Sequence, residues 1–252
     1  MSNFGCVVFL DRGFEIDWRV NCVVEENAVI LVFEKLEKMY QGARSSLLEP
    51  VQNNPVDTLV ATMISQATND TLSSRAFLQL KTEFPDWEYL LGADTEIIEG
   101  ALSCAGLYRQ KAKQIKAALS KIKEDFGAIT LDPLYDWPKE RCFEYLTSLP
   151  GVGPKTAACV LAFGLGKPAF PVDTHVLRVV KRLGLVGETE AASSAQSMLE
   201  GVVPEDIKMK LHLMLIEHGR RVCTARKPKC NVCILKDMCQ SCNSHVLEAN
   251  NG

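Results

Sequence analysis

Four cysteines near the end of the chain, Cys223, Cys230, Cys233 and Cys239, are separated by six, two and five residues. Thiolates bind soft metals, and loops this short bring their ends together at little entropic cost. The four therefore suit one metal centre, either a structural zinc ion or an iron–sulfur cluster. A rival quartet exists, because Cys230 with Cys233 and Cys239 with Cys242 form two CxxC pairs. Only five residues separate those pairs, fewer than zinc ribbons usually place there. Cys6, Cys22, Cys104, Cys142 and Cys159 lie scattered among apolar neighbours and are expected to be small buried hydrophobes.

A second chemical feature is the string LPGVGPKTA, residues 149–157. Two glycines one residue apart end one helical stretch, and Pro154 suits the first turn of the next. Glycines there permit positive φ and let backbone N–H groups face outward, which makes an anion site suited to a phosphate. The string reads as a helix-hairpin-helix, a device that grips a DNA backbone without reading bases. Lys155 falls in the first turn of the second helix, where the local field favours a neutral amine and burial acts in the same sense. A neutral lysine is a nucleophile able to attack an anomeric carbon and form a Schiff base. Its plainer role is a phosphate contact.

Eighteen residues beyond Lys155, Asp173 precedes another helical stretch. It is expected to cap that helix, contributing roughly 1 kcal/mol. A capping carboxylate beside a cleft could also stabilise developing positive charge and assist proton movement. His175 reads as a structural or phosphate-contacting residue.

The elements that must carry these residues are helical. Apolar residues recur at helical spacing in Val29, Val32, Phe33, Leu36 and Met39, and again in Leu59, Val60, Met63 and Ile64. Further helices are predicted near 71–83, 94–102, 109–125, 138–148, 154–165, 174–183, 190–200 and 205–218. Only residues 14–24 alternate like a strand. Short loops between helices imply an all-α fold, with any ligand site between packed helices.

The chain has 252 residues and a net charge of −3, and no apolar run reaches membrane-spanning length. The N-terminus lacks the pattern of an export signal, so a cytoplasmic location, nucleoid-associated in a prokaryote, is expected. The charge is uneven. Residues 1–60 hold nine acidic and five basic groups, whereas 203–240 hold eight basic and four acidic. A nucleic-acid partner needs a positive face, not a positive total.

Four strings in order, MISQATND at 63–70, GLYRQKA at 106–112, LPGVGPKTA followed by VDTH, and the stretch HGRRVCTARKPKCNVCILKDMC, resemble the endonuclease III family over about residues 28–240. The resemblance implies two helical lobes with a DNA-binding groove between them. One is a six-helix barrel with the helix-hairpin-helix, spanning 47–167. The other is an iron–sulfur lobe of 28–46 and 168–240, followed by a tail, 241–252; residues 1–27 have no counterpart. By motif position Lys155 matches the lysine nucleophile and Asp173 the acid. Gln66 and Leu107 match residues that enter the duplex when a base is flipped out. Leu149, Gly151, Gly153 and His175 would meet the DNA backbone. Cys223, Cys230, Cys233 and Cys239 would hold a [4Fe-4S] cluster, presenting Arg226, Lys227 and Lys229 to phosphates.

The activity so implied is a bifunctional DNA glycosylase and AP lyase acting on oxidised pyrimidines in double-stranded DNA or on abasic sites, as a monomer. One departure bears on the base pocket: an extra residue lies between Gln66 and Asp70 relative to the best-known bacterial members. The alternatives are a monofunctional adenine, uracil or thymine glycosylase, or a non-catalytic DNA-binding module. The adenine-removing branch carries serine or tyrosine where this chain has Lys155.

Overall fold

A computed structural model describes residues 8–9, 15–16, 25–40 and 54–242. These residues are overwhelmingly helical, in two compact units: Pro50–Pro171, and Met1–Glu49 together with Val172–Gly252. A short antiparallel pairing of β1 (Val8–Phe9) with β2 (Glu15–Ile16) joins Val8 to Ile16 and Phe9 to Glu15. The remainder of the strand-like alternation over 14–24, and Cys6 and Cys22, lie outside the described residues. No described helix is long and apolar enough to cross a membrane.

The 50–171 unit is built on α2 (Pro55–Ser65), which packs against α3 (Asp70–Glu83) and α6 (Tyr108–Phe126). Asn54 starts α2 by accepting from Val56 N at 2.8 Å, with Pro55 already holding helical φ. The short helices α4 (Trp87–Gly92) and α5 (Thr95–Ala101) connect α3 to α6. Then α7 (Lys139–Ser148) leads through a tight turn to α8 (Pro154–Cys159), which continues into a π-helical turn, Val160–Gly164. Leu59, Val60, Ile64, Leu80, Ile115, Leu119 and Leu161 form a dry core, in which each large side chain contributes about 1.5–3 kcal/mol. Gly164 lets the π turn reach α2, since a Cβ there would sit 3.0 Å from Pro55 Cα.

The other unit joins α1 (Glu26–Tyr40), near the start of the chain, to α9 (Thr174–Leu183), α10 (Ala192–Val202) and α11 (Lys208–Arg221). Helix α11 lies against both α1 and α9. Close approach of α9 needs Gly219, where a Cβ would come within 3.0 Å of His175 Cβ. Cys142 and Cys159 are buried as expected, and Cys104 is half-buried.

Candidate active site and cysteine loop

The hairpin between α7 and α8 places Lys155 second in α8, half-buried. Among the described residues its Nζ makes no hydrogen bond or ion pair, so the amine is not committed to a structural partner. Gly151 takes φ +77°, the left-handed conformation expected of it. Its carbonyl accepts a hydrogen bond from Gln66 Nε2 at 3.2 Å, and the same amide reaches Thr156 Oγ1 at 3.1 Å. Gly153 departs from expectation. Its φ is −96°, and an added Cβ would meet nothing within 4 Å. The N–H groups of Gly151 and Gly153 find no acceptor among the described residues.

Leu149, expected to meet the DNA backbone, has its side chain buried under the hairpin. Its side chain is 2 % exposed, its N–H donates to Leu146 O, and its carbonyl accepts from Val152 N. It anchors the hairpin from beneath. Leu107 is the opposite case: 62 % exposed, in left-handed backbone at φ +57°, immediately before α6. Ala67, next to Gln66, is also left-handed at φ +50°. Such conformations cost a non-glycine residue of order 1 kcal/mol and persist only where the surroundings impose them.

The surroundings here include Lys111, a residue inside the GLYRQKA string that pattern reading did not single out. It is 3 % exposed, and its Nζ donates to Ile64 O at 2.7 Å and Thr68 Oγ1 at 2.6 Å. Burial pushes its pKa below the ordinary lysine value. Helix α2 has no basic residue in its own last turn, and Lys111 supplies a cation to its orphan carbonyls from α6. Gly106 completes the clasp, because a Cβ there would lie 2.9 Å from Ala67 O. The loops carrying Gln66 and Leu107 are thereby locked to each other.

In the second unit, Asp173 caps α9: Oδ1 accepts from His175 N at 2.8 Å and Val176 N at 2.7 Å. Among the described residues Oδ2 accepts nothing. His175 Nδ1 lies 3.2 Å from Arg178 Nη2. Arg178 also donates to Cys223 O at 2.9 Å and Gly219 O at 2.8 Å. One turn on, Arg182 donates through Nη1 to Thr224 O at 2.8 Å and Cys223 Sγ at 3.3 Å, and through Nη2 to Ala225 O at 2.9 Å. Neither arginine was singled out from the sequence. Their spacing of four on an amphipathic helix, which puts both on one face, is the signal that could have found them.

The loop they hold carries Arg226, Lys227 and Lys229, all exposed. Its cysteines converge on a cavity of about 200 Å³ lined by Cys223, Cys230, Cys233, Cys239 and Cys242. Cys239 Sγ donates to Arg182 O at 3.2 Å. His218 Nε2 is 3.4 Å from Cys233 Sγ, and its Nδ1 lies 3.2 Å from Tyr40 OH, which ties the loop to α1. Four thiols lining one cavity are a donor set that an iron–sulfur cluster takes.

Comparison with known proteins bears on both sites. Residues 60–205 match the HhH-GPD superfamily of base excision DNA repair proteins, and 223–239 match the iron-sulfur binding domain of endonuclease III. Endonuclease III of Synechocystis is 36% identical over 207 residues, covering 82% of this chain and 89% of that protein. The chain belongs to the endonuclease III family.

Endonuclease III of Bacillus subtilis is 34% identical over a stretch of the same length. A protein of Arabidopsis thaliana named as a DNA glycosylase is 36% identical, but this chain spans 65% of its length. A solved structure of endonuclease III trapped as a covalent intermediate with DNA superposes with a TM-score of 0.75 at 28% identity. The match covers 88% of this chain and 98% of that one. As a member of this family the chain is a DNA-binding, bifunctional base-excision glycosylase and AP lyase with a [4Fe-4S] cluster.

Proposed function

We propose that this protein removes oxidised or ring-fragmented pyrimidines from double-stranded DNA through Lys155 and then cleaves the resulting abasic site. The observation that carries the reading is a half-buried lysine amine at the start of α8 that has no partner among the described residues, beside a hairpin whose glycine N–H groups find no acceptor there. The hairpin amides bind a backbone phosphate. Leu107 enters the duplex beside the flipped nucleotide, and Gln66 stays near the hairpin to complete the gap.

The Lys155 amine attacks C1′ of the nucleotide, and the C1′–N bond breaks with its electron pair leaving on the base. Asp173, through the oxygen not used in capping α9, stabilises the positive charge developing on the sugar and moves the proton that the amine loses. The C1′–O4′ bond then opens, its electron pair going to O4′, which takes up a proton, and the resulting iminium acidifies C2′. Loss of that proton expels the 3′ phosphate by β-elimination, and water then releases the lysine. Arg226, Lys227 and Lys229 add phosphate contacts independent of sequence, so binding weakens steeply with salt. The cluster, held by Cys223, Cys230, Cys233 and Cys239, fixes the shape of that loop. The enzyme acts as a monomer.

Borohydride trapping tests this reading, using one duplex with a thymine glycol and another with an abasic site. A covalent adduct on both, lost in Lys155→Ala while DNA binding remains, is the expected result. An adduct on the abasic duplex alone overturns the pyrimidine assignment and keeps the lyase. No adduct on either overturns the Schiff base and leaves a non-catalytic binding module.

A further inference from the structure

We infer that Thr156 is a positioning residue, holding the Gln66 amide in the same frame that carries the Lys155 amine. The inference rests on the reading that Gln66 fills the gap left by a flipped nucleotide, and goes beyond it. Thr156 directly follows Lys155 in α8 and is 3 % exposed. Its Oγ1 lies 3.1 Å from Gln66 Nε2. Gly151 O, 3.2 Å from the same nitrogen, can only accept, so the amide nitrogen is the donor and the Thr156 hydroxyl its second acceptor. Thr58, Thr62 and Thr147 turn their hydroxyls back to a carbonyl one turn earlier, a common use of a helical threonine. Thr156 makes no such bond among the described residues. Its hydroxyl meets a side chain from the end of α2 instead.

The backbone of Gln66 is fixed separately. Its N–H donates to Met63 O at 3.4 Å, and its carbonyl accepts from Thr68 Oγ1 at 3.2 Å, the hydroxyl that Lys111 also holds. What such an anchor leaves loose is the side chain. Thr156 and Gly151 remove that freedom in the folded protein, so the ordering cost falls on folding and not on the complex with DNA. Thr156 is also joined covalently to Lys155. The gap-filling amide and the attacking amine therefore keep a fixed spacing while a nucleotide turns out of the duplex. Losing that registration slows the reaction without removing any reacting group.

The test is the single-turnover rate of borohydride trapping on the abasic-site duplex, with affinity for an undamaged duplex measured alongside. Thr156→Val replaces the hydroxyl with a methyl and leaves Nε2 its bond to Gly151 O, so no buried donor is orphaned. It is expected to slow trapping roughly two- to tenfold, the worth of one hydrogen bond, while affinity for the undamaged duplex is kept. Thr156→Ser, which restores the acceptor, is expected to trap at the wild-type rate. In a Gln66→Ala background Thr156→Val is expected to have no further effect, because the contact is already gone. Equal rates for the wild type and Thr156→Val overturn the inference. So does a slowing that adds in full to that of Gln66→Ala, which would make Thr156 a packing residue. Thr156→Ser trapping more slowly than the wild type overturns it as well, an arm that stands even if the valine variant misfolds. If Gln66→Ala itself traps at the wild-type rate, the gap-filling reading has failed first.

Discussion

Gly151 and Gly153 flank a single valine, yet the two are glycine for different reasons. At Gly151 the protein itself imposes the choice. Its φ is +77°, and a Cβ would lie 2.8 Å from the Gln114 side chain. Gly151→Ala is therefore expected to lower stability by about 1–2 kcal/mol, read from denaturant unfolding. At Gly153 the backbone is extended and open space surrounds the missing Cβ. What glycine permits there is close approach by something outside the chain. Gly153→Ala is expected to leave unfolding unchanged and to weaken binding to an abasic-site duplex. Wild-type affinity in that variant would remove the hairpin amides from the DNA contact. Both glycines look alike in the sequence, because a residue type does not reveal which neighbour forbids its replacement.

At the scale of elements, the loops after α2 and before α6 owe their shape to Lys111. Replacing it with Met keeps length and apolar bulk but strips Ile64 O and Thr68 Oγ1 of their donor. An unsatisfied buried carbonyl costs about 1–3 kcal/mol, so urea unfolding of Lys111→Met should shift by that amount. Activity should fall with it, since Gln66 and Leu107 flank the clasped loops; a fully stable, fully active variant would refute the clasp. Helical periodicity made the larger helices legible, together with caps such as Asp173. It could not show α4, whose six residues are too few for a period to register, although Asp86 caps it by accepting from Glu88 N at 3.0 Å. Nor could it show that the helix predicted over 154–165 loosens into a π turn at Val160. That turn packs against Pro55 through Gly164, a contact between residues far apart in the chain. The chemical groups with distinctive spacing were readable, including Lys155, Asp173 and the cysteines. The residues that hold them, Lys111, Arg178 and Arg182, were not, because their partners are backbone carbonyls that any sequence possesses.

At the scale of the whole molecule, one unit is a continuous stretch and the other is discontinuous, with Pro50–Pro171 inserted into it. The cysteine loop belongs to the discontinuous unit and is bound to α9 by Arg178 and Arg182 and to α1 through His218 and Tyr40. Stripping the iron is therefore expected to raise amide hydrogen exchange in α9, α11 and residues 223–239, while α2, α6 and α8 keep their protection. Uniform deprotection of both units would mean that the two open together. The discontinuity also orders events on the ribosome. Residues 50–171 emerge as a complete unit, whereas α1 has been made but lacks α11, and Tyr40 awaits His218, 178 positions later. Cluster loading is thus a late step of biogenesis, and a nascent chain stalled before Cys223 holds a finished hairpin domain and a first helix still without its partner.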